Sequence, residues 1–292
     1  FVVLAIVGLG VALYFAWQTL IPKAAEAVAH RIPRDAEKSL GTIALQGLDR
    51  WLLKTSRLEA AEMWSVRRLF DELADKAGLA DTVVLQFRDT APNALALPGG
   101  TSVVTDGLVK LFRSDERLLA AVIAHELGHI QHRHSLRHLL EGSASALIVG
   151  ALVGDVSGVS ALTVNAPILL STLHYTRESE READQYAFDL LRRSGRSPKD
   201  FADAMRRFDA MELCIALRTK YRDDALKQAQ GSVDRSDEPA ARARISDSCT
   251  DNPEKALEGR DSELADLRRQ DRETGYMHTH PVTRERIAAA EA

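Results

Sequence analysis

Two histidines four residues apart, with a glutamate directly after the first, constrain this chain more than any other feature. They are His125, Glu126 and His129, in the stretch HELGH. On a helix, such histidines lie about one turn apart on nearly the same face. The two imidazoles can therefore bind one zinc ion, and Glu126 can take a proton from water in the open coordination position. The pattern predicts a metal site built on a helix.

The first 21 residues contain no charged side chain. As a helix they would span roughly the 30 Å hydrocarbon core of a bilayer, and Tyr14 and Trp17 would lie near one interface. A cleaved signal peptide is the alternative, but its apolar core is only about 7–15 residues long. We expect a retained transmembrane anchor at 1–21 in contact with the lipid bilayer. Because the chain begins at Phe1 rather than at a methionine, we also expect further sequence upstream.

Composition and residue patterns divide the rest of the chain into four parts. Residues 22–79 show helical apolar spacing, and 80–217 combine strand and helix patterns in what we expect to be the core. Residues 218–275 are strongly charged and predict a solvated helical insert, followed by a closing segment at 276–292. The fold class predicted is α+β and predominantly α-helical. A net charge of −4 and 5% aromatic residues argue against a nucleic-acid partner, and we expect none.

A small sheet and two helices are expected within the core. Three strands are predicted at 83–87, 93–97 and 101–105, with a Pro-Gly-Gly turn before the third. Ser114 is placed to cap a long helix that contains the zinc motif and ends near Gly142. The apolar stretch 142–173 contains glycines and a proline, so it predicts a pair of short helices rather than a second membrane span.

A second helix, from about Tyr175 to Arg193, offers the third metal ligand. Glu180 and Asp184 are spaced i and i+4, so they share a face of this helix. Glu180 can complete a two-histidine, one-glutamate site, and Asp184 can accept the free ring N–H of a ligand histidine. Alternatively, these acidic side chains form a solvated face of the helix and bind no metal. The glutamates at 178 and 182 are competing ligands, but both point away from the shared face.

Further histidines follow the zinc motif. His134 and His138 are also spaced i and i+4, but Ser135 follows the first of them, so this pair lacks an adjacent carboxylate base. We expect His132, His134 and His138 to be solvated side chains on later turns of the zinc-motif helix.

Together these motifs resemble the membrane-associated zinc metallopeptidases of the HtpX and CAAX prenyl protease type. The resemblance covers about residues 80–190 and 278–287, with the motifs in the family's order. Its segments are 93–100, 125–129, 176–184, and His280-Pro281 followed by Arg286. Thr176 stands where the family usually has serine. The resemblance implies a gluzincin-like domain with one zinc ion per chain, acting on proteins or peptides.

The resemblance also implies roles for residues outside the zinc motif. His280 and Arg286 match family residues near the catalytic centre, where such side chains could stabilise an oxyanion, although a His-Pro pair is usually an ordinary turn.

A substrate strand is implied as well. An extended substrate would add to an edge strand of the sheet through main-chain hydrogen bonds. We expect that strand to be Thr101–Thr105, which includes Ser102, Val103 and Val104. Asn93 lies in the segment that precedes the edge strand in the family.

The predicted function is membrane-anchored, zinc-dependent cleavage of peptide bonds, in envelope protein quality control. Two other classes of function compete with it. A chaperone-like or binding module would keep zinc but would not need Glu126, and a structural membrane protein would contain less than about one zinc per chain. The sequence gives no oligomeric state.

The sequence gives opposing indications of the compartment in which the catalytic domain lies. Lys23, Arg31 and Arg34 after the apolar span favour a cytoplasmic domain. Cys214 and Cys249 have no Cys-x-x-Cys partner, so they are either a disulfide in an oxidising compartment or two unrelated buried thiols. We expect a bacterial inner-membrane protein with a periplasmic catalytic domain.

Overall fold

Helices dominate the chain, whose structure is a computed structural model. It describes residues 19–113, 115–153, 175–228, 253–259 and 284–292, with the single residues Gly8, Trp17, Cys249, Leu264 and His280. Residues 19–29 are helical. The labelled helices are α1 (Arg34–Trp51), α2 (Ala60–Ala77), α3 (Asp106–Leu111), α4 (Glu116–Gln131), α5 (His134–Val153), α6 (Arg177–Arg193), α7 (Lys199–Gln228), α8 (Pro253–Leu257) and α9 (Arg284–Glu291). With the small sheet described next, they confirm a predominantly helical α+β fold.

Several expectations fall outside the described residues. They include most of the predicted anchor at 1–21, the capping role of Ser114, and residues 154–174 of the apolar stretch. Within the described ranges, no helix combines the length and apolarity needed to cross a bilayer.

The sheet contains the three predicted strands and a fourth, two-residue strand. The strands are β1 (Lys54–Thr55), β2 (Val84–Asp89), β3 (Ala94–Ala96) and β4 (Thr101–Thr105). Their order is β1-β2-β4-β3, with β2 and β4 parallel and the outer pairs antiparallel.

The expectation that Thr101–Thr105 forms the edge strand is wrong. This strand is β4, which pairs with β2 on one side and β3 on the other, and Ser102, Val103 and Val104 are buried. The reason is the turn at Pro98–Gly100, which folds the chain back so that β3 covers the free side of β4. Gly100 has φ 90°, and a Cβ there would lie 2.1 Å from the Thr82 carbonyl oxygen. The edge strand on this side of the sheet is therefore β3, and β1 is the edge strand on the other side.

Helix α4 lies at the centre of the molecule and is buried on all sides. Each residue from Leu118 to Ile130 is buried. Its neighbours include α2, α6, α7 and β3. The approach of α6 is closest at Gly128, where a Cβ would lie 2.9 Å from the Ala183 carbonyl oxygen. Glycine at this position therefore brings the backbones of the two helices together.

The predicted single long helix is two helices, and neither ends at Gly142. Helix α4 ends at Gln131, and α5 runs from His134 to Val153. Arg133 lies between them with φ 55°, in the left-handed region. Its buried guanidinium pairs with Glu37 at 2.8 Å, and the carbonyls of Ala29 and Ile32 accept from it. These long-range contacts explain a break that the local sequence does not predict.

The charged segment 218–275 is tied to the core where it is described. Helix α7 begins in the core at Lys199, extends into this charged segment and ends at Gln228. Cys214 and Cys249 form a disulfide with Cα atoms 5.8 Å apart, so they are not two unrelated buried thiols. Leu257 and Leu264 are also buried in the main hydrophobic cluster.

Candidate metal centre

Helix α4 supplies both histidines and the glutamate of the zinc motif. Asp115 caps the helix by accepting from the Arg117 backbone N–H. His125, Glu126 and His129 are each 0% exposed. The Nε2 atoms of the two histidines lie 2.9 Å apart, as expected for i and i+4 side chains turned toward one point.

Helix α6 brings the two acidic side chains of the second motif to the same place. The Thr176 side chain caps this helix by accepting from the Ser179 N–H. Glu180 Oε1 lies 3.4 Å from His129 Nε2, and Oε2 lies 3.6 Å from His125 Nε2. Both carboxylates are buried, so the solvated acidic face considered for this helix is not what the structure shows.

His280 enters the same cluster from the C-terminal part of the chain. Its Nδ1 lies 2.9 Å from Glu180 Oε1 and 3.3 Å from His125 Nε2, and the ring is fully buried. One donor atom each from His125, His129, Glu180 and His280 lies within 4.8 Å of all the others. The structure therefore offers four candidate ligands, one more than the sequence pattern proposed.

Asp184 and Arg286 lie behind the cluster. Asp184 Oδ1 is 3.0 Å from His125 Nδ1, the ring nitrogen that faces away from the donor cluster. Arg286 contacts both oxygens of Asp184 at 2.7 Å, and its Nη1 lies 2.6 Å from Glu180. These contacts fix both carboxylates and one imidazole relative to each other.

The charges of these buried groups follow from burial and their neighbours. Burial lowers the pKa of His129 well below its ordinary value, which favours the neutral imidazole. Burial would raise the pKa of Glu180, but His280 and Arg286 outweigh it and hold the pKa well below its ordinary value. For His280, burial lowers the pKa, whereas Glu180 and Glu126 raise it. The net result is a pKa above the ordinary value.

Glu126 is a buried carboxylate beside the donor cluster. Neither of its oxygens has a hydrogen-bond partner among the described residues, and Oε1 lies 3.5 Å from His280 Nε2. Burial raises the pKa of Glu126 above its ordinary value. A carboxylate whose pKa is raised in this way accepts a proton more readily than an exposed glutamate does, as a general base must.

The donor set fits zinc. Neutral imidazole nitrogens and a carboxylate oxygen are ligands that Zn²⁺ prefers, in the two-histidine, one-glutamate combination of catalytic sites. The ring nitrogens His125 Nε2 and His129 Nε2 and the buried Glu180 Oε2 all face the same point.

Three further residues make contacts at the site that the sequence does not predict. Tyr175 stacks on the His129 ring with centroids 3.9 Å apart, and its hydroxyl bonds Ser135 at 2.9 Å. His134, expected to be solvated, is 0% exposed, and its Nδ1 lies 2.8 Å from His129 Nδ1. Glu182 receives a hydrogen bond from His134 Nε2 at 2.8 Å.

The histidine expectation failed because of the break at Arg133. A continuous helix would carry the later histidines onto other faces, whereas the break turns the start of α5 back toward α4. Burial lowers the pKa of both His134 and His138 to about 4, so neither behaves as a solvated histidine. His132 is half-buried. In the sequence, the only indication of a role for Tyr175 is its position immediately before Thr176, the residue that caps α6.

Most of the expected site residues lie together. The structure groups His125, Glu126, His129, Glu180, Asp184, His280 and Arg286 at one buried centre. The strand residues are arranged differently, because β3, which follows Asn93, is the edge strand, and Thr101 to Val104 belong to the inner strand β4.

Comparison with known proteins agrees with this geometry. Residues 60–292 match the family model of Peptidase family M48. The mitochondrial metalloendopeptidase OMA1 of Schizosaccharomyces pombe is 32% identical over 152 residues, which cover 50% of this chain and 44% of that protein. The metalloprotease LoiP of Escherichia coli is 30% identical over 130 residues, covering 41% of this chain and 48% of LoiP.

The beta-barrel assembly-enhancing protease of Escherichia coli is 33% identical over 117 residues, which cover 37% of this chain and 24% of that protein. The matches therefore span about half or less of the length of these relatives. The family model covers most of the chain, and its residues include the zinc motif, the Glu180 segment and the closing helix. The resemblance noted from the sequence is thereby confirmed: the chain belongs to Peptidase family M48, a family of zinc metalloproteases of the gluzincin type.

Proposed function

We propose that this chain is a zinc-dependent endopeptidase that hydrolyses peptide bonds, with His125, His129 and Glu180 as the zinc ligands. The observation that carries the proposal is the Glu126 carboxylate. It is fully buried, has no hydrogen-bond partner among the described residues, and lies beside the donor cluster. A buried carboxylate in that condition costs stability, so its retention points to a chemical task.

The chemical task that suits Glu126 is proton transfer during peptide hydrolysis. When bound, Zn²⁺ polarises a carbonyl group and lowers the pKa of water, which is the chemistry that peptide hydrolysis needs. Glu126 accepts the proton of the attacking water and later delivers it to the leaving amine. Asp184 Oδ1 lies 3.0 Å from His125 Nδ1, close enough to hold that ring with its Nε2 lone pair directed at the donor cluster.

His280 and Arg286 have different parts in this proposal. His280 Nε2 faces Glu126 at 3.5 Å, from where it can donate to the oxygen that becomes negative as water attacks. Its Nδ1 lies within the donor cluster, so its ring is placed to act as a ligand or as a donor. Arg286 directs three nitrogens at the Asp184 and Glu180 carboxylates. We therefore assign Arg286 to positioning these carboxylates rather than to contact with the oxyanion.

An extended substrate would add to β3. Leu97 donates to Thr101 and Thr105 donates to Asn93, so the main-chain groups of the two residues that flank β3 face β4. The main-chain groups of Ala94 and Ala96 therefore point outward. The Ala96 carbonyl accepts from Ser135 and Tyr175, which stacks on His129. The outward side of β3 thus faces the metal centre, as a substrate strand requires.

The setting proposed is the bacterial envelope. The Cys214–Cys249 disulfide supports an oxidising compartment. One relative is named for enhancing beta-barrel assembly, which suits a role in envelope protein quality control. We propose that residues 1–21 anchor the chain in the inner membrane with its catalytic part on the periplasmic side.

Degradation of casein by the full chain tests the proposed activity. Wild-type protein should cleave casein, a chelator should abolish cleavage, and added zinc should restore it. Glu126→Gln should lower the rate by at least about a hundredfold while zinc content stays near one per chain. Glu178→Gln, at an exposed position of α6, is the control and should behave as wild type.

The alternative is a zinc-containing chaperone-like module. Such a module would suppress aggregation of an unfolded protein equally well with Glu126→Gln. Equal casein cleavage by wild type and Glu126→Gln would contradict the proposed mechanism, and protection without cleavage in both would favour the module.

A further inference from the structure

A second histidine contacts the ligand His129 from the side away from the donor cluster. His129 Nδ1 lies 2.8 Å from His134 Nδ1, and His134 Nε2 lies 2.8 Å from Glu182 Oε2. We propose that His134 and Glu182 are positioning residues that orient His129 as a zinc ligand. This inference rests on the proposed zinc site and adds two residues that the zinc motif does not contain.

The positions of the ring protons support a single direction for these hydrogen bonds. His129 Nε2 faces His125 and Glu180, so its lone pair is needed there and the ring proton must be on Nδ1. That Nδ1–H can donate only if His134 Nδ1 is an acceptor. A neutral His134 then carries its proton on Nε2, where it donates to Glu182. Each step fixes the tautomer of the next ring.

The backbone supports this arrangement. Arg133, immediately before His134, adopts a left-handed conformation that is strained for a non-glycine residue. Its guanidinium is buried against Glu37 and the Ala29 and Ile32 carbonyls. These contacts stabilise the sharp turn that places the first residue of α5 beneath His129.

Glu182 is held at the outer end. Arg137, one turn into α5, lies 3.2 Å from the same Glu182 oxygen that accepts from His134. His134 is 0% exposed, so an unpaired Nε2–H there would carry the full cost of a buried unsatisfied donor. The hydrogen-bond chain from His129 through His134 to Glu182 is therefore complete at both ends.

A second metal ion is the competing explanation for these side chains. His132, His134 and Glu182 also have potential ligand atoms within 4.8 Å of one another. His132 and Glu182 also line a cavity of about 460 Å³. A metal bound by His134 Nε2 would require the ring proton on Nδ1. That proton would face the His129 Nδ1–H across 2.8 Å, so the two arrangements exclude each other.

Zinc affinity and a cobalt spectrum of the full chain test the proposal without relying on activity. His134→Phe should weaken zinc binding by about 10–100-fold, as loss of a hydrogen bond behind a ligand histidine generally does. The visible absorption of the Co²⁺-substituted protein should also change, because the His129 ring is no longer fixed. Glu182→Gln should weaken binding by a smaller factor.

Two amide variants separate positioning from packing. In His134→Asn the side-chain oxygen occupies the place of Nδ1 and should restore most of the zinc affinity. In His134→Gln the amide reaches the place of Nε2 instead and should not. His132→Gln is the control, because His132 stacks beside His134 but makes no bond to His129. If His134→Phe does not fold, the comparison of His134→Asn with His134→Gln still distinguishes positioning of His129 from packing.

Two results would overturn the proposal. The first is a zinc affinity within about twofold of wild type, together with an unchanged Co²⁺ spectrum, for His134→Phe or for His134→Gln. The second is a second bound metal that His132→Gln removes. Wild type that binds no zinc would overturn both this proposal and the proposed function. Wild type that binds zinc but cleaves nothing would contradict only the proposed function, since the affinity comparison would still decide the role of His134.

Discussion

Arg286 lies 102 residues after Asp184 in the chain, yet its Nε and Nη2 contact the two oxygens of that carboxylate at 2.7 Å each. The pair is buried, with the two side chains each 6% exposed. The third guanidinium nitrogen contacts Glu180 at 2.6 Å. Helix α9 therefore contributes Arg286 to this cluster, beside two carboxylates that lie far upstream in the chain.

Substituting Arg286 should destabilise the fold at neutral pH. Arg286→Gln leaves Asp184 as a buried carboxylate without its cationic partner, and breaking such a pair costs about 3–5 kcal/mol. Urea unfolding of the metal-free protein measures the loss. Arg284→Gln, at an exposed position of the same helix, is the matched control and should change stability by less than about 0.5 kcal/mol.

The same variant should show a distinctive pH dependence. Burial raises the pKa of Asp184, but Arg286 outweighs it, so the folded-state pKa lies below the ordinary value. The pair therefore stabilises the wild type above the unfolded pKa of about 3.9, and this contribution is lost as pH falls through the folded pKa. In Arg286→Gln burial dominates and protonation of Asp184 is favoured. The difference between the two proteins should shrink as pH falls from about 7 to about 4, because Asp184 of the variant becomes protonated, and should shrink further below about pH 4, where the wild type loses its own contribution. An unchanged difference would contradict the assignment.

Gly128 should be intolerant of a side chain. Gly128→Ala places a Cβ 2.9 Å from the Ala183 carbonyl oxygen and 3.0 Å from its Cα, so α4 and α6 must separate. We expect a loss of about 1–3 kcal/mol in stability and weaker zinc binding, since Glu180 moves with α6. Thermal unfolding and zinc titration measure the two effects. Ala183→Gly in the same background should not rescue either one, because the clash is with backbone atoms.

The sequence predicted those parts of the site that depend on local periodicity. His125, Glu126 and His129 share a helix face by spacing alone, and Glu180 with Asp184 do so on α6. The burial of His134 is not predictable from the sequence, because it depends on the turn at Arg133, which is stabilised by Glu37 at a separation of 96 residues. No periodicity within α4 or α5 contains that information.

The sheet shows the same division between local and long-range information. All three predicted strands exist, because alternation and the Pro-Gly-Gly turn are local signals. Which strand is the edge depends on how β3 folds back onto β4 and how β2 pairs with the other side of β4. Pairing between strands is a tertiary property, so Thr101–Thr105 was assigned to the wrong position.

Loss of the disulfide should lower the stability of the core. Cys214 and Cys249 are separated by 35 residues, and constraining a loop of that size in the unfolded chain is worth at most about 4 kcal/mol. Cys214→Ala with Cys249→Ala should therefore shift the urea midpoint downward. A reductant should shift the wild type by a similar amount and leave the double variant unchanged. An identical response of both proteins to reductant would contradict the disulfide.

Removing the Asn93 side chain should improve binding of extended peptides. Asn93 Oδ1 accepts from the Ala94 N–H at 2.9 Å and so occupies one of the outward donors of β3. Asn93→Ala frees this donor for the substrate backbone, and one added hydrogen bond of about 0.5–1.5 kcal/mol should lower KM by about 2–10-fold with little change in kcat. Asn93→Asp keeps an acceptor oxygen at the same place and should retain the wild-type KM. A higher KM in Asn93→Ala would mean that the amide itself contacts the substrate and does not block the strand edge.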